Sequence, residues 1–232
     1  MKPNLKLAEA ATPDGARLTL HEHDGTYCIR INTEKLMHSS IHASERLLGE
    51  LAVAPFLSRA HPSVLIGGLG LGFTLRSVLE KLGPKSTVHV AELIPAVVAW
   101  NREFLSGLNG ALLDDPRVEI FVADVWNVIA QAGRARYDAV LLDIDNGPAA
   151  MVQKRNSRLY DRDGLHRIAT VLKPGGRLVV WSARPDRGFG ERLADAGYTV
   201  QVVPAKLHSH AKRCAYTLFV ADGAMSCSAP LP

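Results

Sequence analysis

Between Ser63 and Gly72 the chain reads Ser-Val-Leu-Ile-Gly-Gly-Leu-Gly-Leu-Gly, an apolar run that stops at glycines, and a helix-like stretch from Phe73 to Leu82 follows. An apolar run of strand length, a glycine turn and a helix form the opening unit of an open α/β sheet. Side chains would hold the backbone of such a turn away from a ligand. Gly68, Gly70 and Gly72 allow close approach to the helix N-terminus, which makes them candidate cofactor-binding positions. Glu92 ends the next apolar run, Thr87 to Ala91, twenty residues beyond Gly72. An acid so placed in a β-α-β unit can accept both hydroxyls of a ribose. The plainer alternatives are a tight turn without a ligand and an exposed acid after a strand.

The alternation continues downstream. Helix-like Ala96 to Phe104, strand-like Val118 to Val122, helix-like Val125 to Ala130 and strand-like Tyr137 to Asp143 predict a doubly wound parallel sheet. Leu165 to Leu172 reads as a helix, Lys173-Pro174-Gly175-Gly176 as a turn, Arg177 to Trp181 as a strand and Phe189 to Ala196 as a helix. The last two strands, Thr199 to Val203 and Ala215 to Ala221, have no helix-length segment between them and are expected to pair as an antiparallel hairpin. That ending makes a seven-stranded Rossmann-like sheet of the class I methyltransferase type. Upstream, Leu18 and Leu20, then Asp24-Gly25, then Tyr27, Ile29 and Ile31 predict a hairpin, with a third short strand near Leu36 to Ser39. Ala43 to Leu57 has mostly helical spacing, interrupted by Pro55. The expected organisation is a small N-terminal β layer over 1–42, a nucleoside-binding domain over 43–221, and a disordered tail over 222–232.

Composition narrows the class. At 232 residues and 47% hydrophobic content the chain can bury one α/β core with a small appendage, which excludes two full catalytic domains. No run nears the roughly 20 apolar residues that span a bilayer, and Met1 to Gly15 lacks the apolar centre of a signal peptide, so a cytoplasmic location without membrane contact is expected. The three cysteines, Cys28, Cys214 and Cys227, are widely separated and lack the paired spacing of a zinc site. The net charge of +4 comes from scattered basic residues without interleaved aromatics, which argues for a solvated surface and against nucleic acid.

Several of these segments resemble the spermidine synthase family of polyamine aminopropyltransferases, over roughly Leu18 to Ala221. The N-terminal strand layer, Ile66-Gly67-Gly68, Ala91-Glu92, Ala123-Asp124 and the run Tyr137 to Asp143 fall in the family's order. Gly147-Pro148-Ala149, Leu159-Tyr160 and Leu172 to Gly176 continue it. The resemblance implies that Glu92 holds a ribose, that Asp124 receives an adenine amino group, and that Asp143 takes the proton of an amine nucleophile. Asp145 joins Asp143 as a second acid, and Glu45 and Tyr160 line the acceptor pocket. The implied co-substrate is decarboxylated S-adenosylmethionine, or S-adenosylmethionine itself, without a metal. The acceptor is a small amine or another small molecule, and a homodimer is implied.

Three departures set alternatives beside that expectation. Gly70 stands where the family carries an aspartate in its glycine turn. Asp143-Ile144-Asp145-Asn146 shortens the family's acidic segment, and Ser44 and Glu45 replace a Tyr-Gln pair. A small-molecule methyltransferase and a catalytically silent nucleoside-binding scaffold are therefore kept as alternatives, the first also suggested by the basic Lys154, Arg155 and Arg158. Individual residues have plainer readings too. Asp124 can cap the helix starting at Val125, Asp145 can be a turn residue, and Tyr160, Trp126 and Trp181 can be packing residues. His21, His23 and the stretch His208 to Arg213 are read as ordinary strand and loop residues.

Overall fold

The computed structural model describes residues 4–144, 147–148, 156–208 and 210–223. Four strands, β1 (Leu5–Ala11), β2 (Arg17–His23), β3 (Thr26–Ile31) and β4 (Glu34–His38), form an antiparallel sheet in sequential order. Asp24 and Gly25 both have positive φ, 50° and 77°, the backbone that a two-residue hairpin turn of matching twist requires. Leu18 and Leu20 of β2 and Ile29 of β3 point from this sheet into the main core and are buried. The sequence reading had no counterpart of β1, whose alanine-rich stretch carries little strand signal.

The main sheet has seven strands in the order β10-β11-β9-β8-β5-β6-β7. Its parallel members are β5 (Ser63–Gly67), β6 (Thr87–Glu92), β7 (Val118–Val122), β8 (Tyr137–Leu142) and β9 (Leu172–Ser182). The chain then reverses, so that β11 (Cys214–Asp222) pairs antiparallel with both β9 and β10 (Thr199–Lys206). This is the class I methyltransferase-type sheet that the missing last helix predicts. The expected Lys173 to Gly176 turn is instead a bulge within β9: Leu172 pairs with Tyr137, while Arg177 pairs with Ala139. Asp222, assigned to the tail by the sequence, is the last residue of β11, and its carboxylate binds Arg177 at 2.6 Å. The rest of that tail, 224–232, lies outside the described residues.

Helices cover both faces. They are α1 (Ala43–Val53), α2 (Phe73–Lys81), α3 (Pro95–Glu103), α4 (Ser106–Asn109), α5 (Val125–Gln131), α6 (Ser157–Tyr160), α7 (Arg162–Val171) and α8 (Arg187–Asp195). Pro55 ends α1 in a single 3₁₀ turn, as its missing N–H dictates. One core cluster joins the N-terminal sheet, α1, α2 and α3 to one face of the main sheet, and a second packs α5, α7 and α8 on the other. β8 is buried throughout because both faces are covered.

The two ends of β8 differ in kind. At its N-terminal end Asp138 is fully buried and takes three partners: the Arg59 guanidinium, Lys173 Nζ at 2.7 Å and the Ser63 N–H at 2.7 Å. Its C-terminal end runs into Asp143, at the edge where ligands of open α/β sheets bind.

Candidate functional site

The glycine turn leaves β5 at Gly67 and stays within reach of β8, with the Asp143 N–H donating to the Gly67 carbonyl at 2.9 Å. Gly68 has φ 88°, and a Cβ there would run into the Asp143 carbonyl. Gly70, φ 52°, faces the Met37 thioether of β4, whose sulfur and methyl would lie 3.1 Å from an added Cβ. Gly72 is the N-cap of α2 and packs on Asn101, Asn109 and Leu112, away from the cavity that Gly68 and Gly70 line. Two amides that sequence reasoning missed fasten the turn: Asn101 Nδ2 donates to the Gly70 carbonyl at 2.9 Å, and Asn109 Nδ2 donates to the Leu71 carbonyl. Their signal was polar amides on otherwise apolar helical faces.

Glu92 is 7% exposed at the end of β6. Its two carboxylate oxygens accept the Leu69 and Ile94 N–H groups, each at 2.9 Å. Burial pushes its carboxyl up, and backbone N–H groups, that of Ile94 first, pull it back. Glu92 lines a largely apolar cavity with Gly68, Gly70, Asp124 and Asp143. The N-terminal sheet roofs it through Leu18, Ile29, Ile31, Leu36 and Met37.

Asp124 borders the same cavity and caps α5, accepting the Trp126 N–H at 2.9 Å. Its other oxygen accepts from Arg158 at 2.6 Å, and the Arg158 guanidinium lies 5.3 Å from the centre of the Trp126 ring. The helix-cap reading of Asp124 therefore describes one of two contacts, and the basic side chain expected at the mouth is held by this acid.

Asp143 accepts from Thr74 Oγ1 at 2.5 Å, a partner the sequence did not suggest. Burial and, after it, the charge of Glu45 push the Asp143 carboxyl up to about 7, against the pull of the Thr74 hydroxyl. Glu45, in the first turn of α1, accepts from Ser44 Oγ at 2.5 Å and is itself pushed up by burial. Tyr216 of β11 senses the Glu45 charge and packs on Trp181 with ring centres 4.7 Å apart. Tyr160 is buried against Phe189, ring centres 5.6 Å apart, and is not part of the cavity wall. Asp145 lies outside the described residues. So do Asn146, Lys154 and Arg155. Among the described residues, no three His, Cys, Asp or Glu side chains gather as a metal site, and no helix is long and apolar enough to cross a membrane.

Residues 30–186 match the family model of the spermine/spermidine synthase domain. The polyamine aminopropyltransferase 1 of Streptomyces coelicolor is 38% identical over 138 residues, which cover 59% of this chain and 25% of that protein. The polyamine aminopropyltransferase of Aeropyrum pernix is 32% identical over 146 residues, covering 60% of this chain and 44% of that protein. The chain thus matches from a quarter to under half the length of these relatives. A spermidine synthase crystal structure from Thermotoga maritima superposes with a TM-score of 0.74 at 17% identity, covering 95% of this chain and 73% of that one. A second, of spermidine synthase in complex with the transition state analogue AdoDATO, gives 0.73 at 17% identity, covering 95% and 73%. At that identity the two structures speak for the fold.

Proposed function

The chain belongs to the spermine/spermidine synthase family, and on that premise we propose that it transfers an aminopropyl group from decarboxylated S-adenosylmethionine to a small amine. The observation that carries the reading is the gathering of Asp143, Glu92 and Asp124 around one cavity at the carboxyl edge of the sheet, where desolvation and the Glu45 charge raise the half-buried Asp143 carboxyl to about 7. A group with that affinity for a proton is suited to receive one from an ammonium nucleophile at neutral pH. The freed amine nitrogen attacks the propyl carbon next to the sulfonium. The carbon–sulfur bond breaks, its electron pair stays on sulfur, and methylthioadenosine leaves.

Glu92, at the end of β6, receives the ribose hydroxyls. Asp124 takes the adenine amino group beside Trp126. Among the described residues that line the cavity none is Lys or Arg, which suits a donor tail without a carboxylate. The same reading has a metal-free cytoplasmic enzyme, dimeric, with its nucleoside domain over 43–221.

One observation favours a second reading. Gly70 faces the Met37 thioether where the family has a carboxylate, so methyl transfer from S-adenosylmethionine itself is the competitor. Calorimetric titration with decarboxylated S-adenosylmethionine, S-adenosylmethionine and methylthioadenosine separates the two. Tighter binding of the decarboxylated donor supports aminopropyl transfer, tighter binding of the carboxylated one supports methyl transfer, and no binding by any of the three leaves a silent scaffold. Glu92→Ala is expected to weaken methylthioadenosine binding by about tenfold or more, the worth of a hydrogen bond to a charged group. It also strips two buried N–H groups of their acceptor, so thermal denaturation should show a loss of roughly 1–3 kcal/mol or more. Unchanged nucleoside affinity in this variant would remove Glu92 from the site.

A further inference from the structure

The turn between β5 and α2 has its three glycines at positive φ, 88°, 52° and 88° for Gly68, Gly70 and Gly72, and glycine backbone has more conformations to lose on being fixed than any other. The polar groups of the turn divide by direction. Its donors go to β6 and the acid at its end: the Gly68 N–H reaches the Ala91 carbonyl at 2.9 Å, the Leu69 N–H reaches Glu92 at 2.9 Å, and the Gly70 N–H is a further donor to Glu92. Its acceptors go the other way, to α3 and α4. Asn101 Nδ2 donates to the Gly70 carbonyl at 2.9 Å, and Asn109 Nδ2 donates to the Leu71 carbonyl. Gly70 is thus held from both sides, its N–H by the acid of the site and its carbonyl by an amide behind it.

Both amides are buried, each 8% exposed. Asn101 divides its Nδ2 between the carbonyls of Gly70 and of Val97, one turn earlier on α3, each at 2.9 Å. Asn109 closes α4, and its buried Oδ1 has no partner among the described residues. A buried acceptor without a partner is unfavourable, and an apolar side chain here would avoid it only by leaving the Leu71 carbonyl unpaired instead. Gly72 completes the arrangement. A Cβ there would lie 3.1 Å from Asn109 Nδ2 and 3.2 Å from Asn101 Oδ1, so the third glycine of the motif makes room for the amides, while the first two line the cavity.

We propose that Asn101 and Asn109 are positioning residues of the nucleoside site: by holding the carbonyls of the turn behind it, they keep its N–H groups on Glu92 and the Glu92 carboxylate aimed at the ribose. The proposal rests on the reading of Glu92 as the ribose acceptor. Neither amide lines the cavity that Glu92 lines, so both act through the turn. Without Asn101 the Gly70 carbonyl has to find another donor, and rotation of its peptide group meets little resistance in a glycine turn. The Leu69 and Gly70 N–H groups then leave Glu92, which keeps only the donors that follow it, Leu93 and Ile94. The carboxylate is no longer fixed before the ligand arrives, and the cost of ordering it is subtracted from the affinity for the nucleoside.

The test is a double-mutant cycle read by calorimetric titration with methylthioadenosine, on the full chain, Asn101→Ala, Glu92→Ala and the double variant, at a temperature where thermal denaturation shows each of them folded. Asn101→Ala is expected to lose about tenfold in affinity when Glu92 is present and less than about twofold when Glu92 is already alanine, because the turn then has no carboxylate to orient. Asn109→Ala, which removes the partner of a single carbonyl, carries the same expectation with a loss of about threefold, and takes the place of Asn101→Ala should that variant fail to fold. An amide acting only on the fold would leave the affinity of the folded protein unchanged, and one acting on another part of the site would cost the same in both backgrounds. Parent-like affinity in both amide variants, or equal losses with and without Glu92, overturns the positioning role and leaves Glu92 in the site. If Glu92→Ala binds as tightly as the parent, or the unaltered protein binds no methylthioadenosine, the reading of Glu92 falls and the role of the amides with it.

Discussion

Asp143→Asn is expected to reduce aminopropyl transfer by about 10²- to 10⁴-fold, the usual contribution of a positioned proton acceptor, with little change in nucleoside affinity. The amide can still accept from Thr74 but cannot take a proton from the amine. In the unaltered protein kcat/KM should climb with pH through about 7, where Asp143 ionises. Thr74→Val should move that limb to higher pH, because the Thr74 hydroxyl favours the charged form.

Stability should move in the opposite direction from activity. Asp143 binds its proton more tightly in the folded chain than the ordinary carboxyl at 3.8 does. The folded state is therefore favoured by this group at low pH, and the advantage disappears as pH rises from near 4 through about 7. Asp143→Asn has no carboxylate to ionise there. Thermal denaturation should show it matching the parent near pH 4 and exceeding it above pH 7, by a margin on the order of a few kcal/mol. Full transfer activity in Asp143→Asn would remove Asp143 from the chemistry.

At the opposite end of β8, Asp138→Ala is expected to lower stability by about 3–5 kcal/mol, the range for breaking a buried ion pair from one side. Arg59 and Lys173 would then face an apolar site without their counter-charge, and the Ser63 N–H would lose its acceptor. Both cations reach solvent, with 40% and 29% of their side chains exposed, which points to the lower part of that range. For a chain of this size the loss corresponds to a fall in Tm of roughly 10 °C. Asp138→Asn, which keeps an acceptor for Ser63, should lose less. Asp138 lies at the edge of the sheet away from the cavity, so any activity lost should return at lower temperature.

The sequence made the main sheet readable because its signals are local. Val64 to Ile66 and Thr87 to Ala91 are short apolar runs bounded by turns, and Asp24-Gly25 specifies its hairpin through backbone conformation alone. β1 escaped notice because Ala8, Ala10 and Ala11 give it little apolar contrast. The stretch Lys173 to Gly176 has turn chemistry and became a bulge because Leu172 and Arg177 both pair with β8.

The site was readable to the extent that its acids end strands. Glu92, Asp124 and Asp143 do so, and the structure gathers all three around one cavity. What could not be read was convergence across the chain. The Glu45 charge acts on Asp143 from a helix that Gly49 brings against Ser77, Asn101 and Asn109 hold a turn some thirty residues upstream, and Arg158 settles on Asp124. Tyr160, read from the sequence as either a pocket wall or a packing residue at a helix entrance, is buried with T-shaped packing on Phe189.

The most direct test of aminopropyl transfer is mass analysis of the products formed when the protein is incubated with decarboxylated S-adenosylmethionine and a panel of small diamines. The account predicts methylthioadenosine and a singly aminopropylated amine in equal amounts. No aminopropylated product from any diamine, with the nucleoside donor bound, would contradict it.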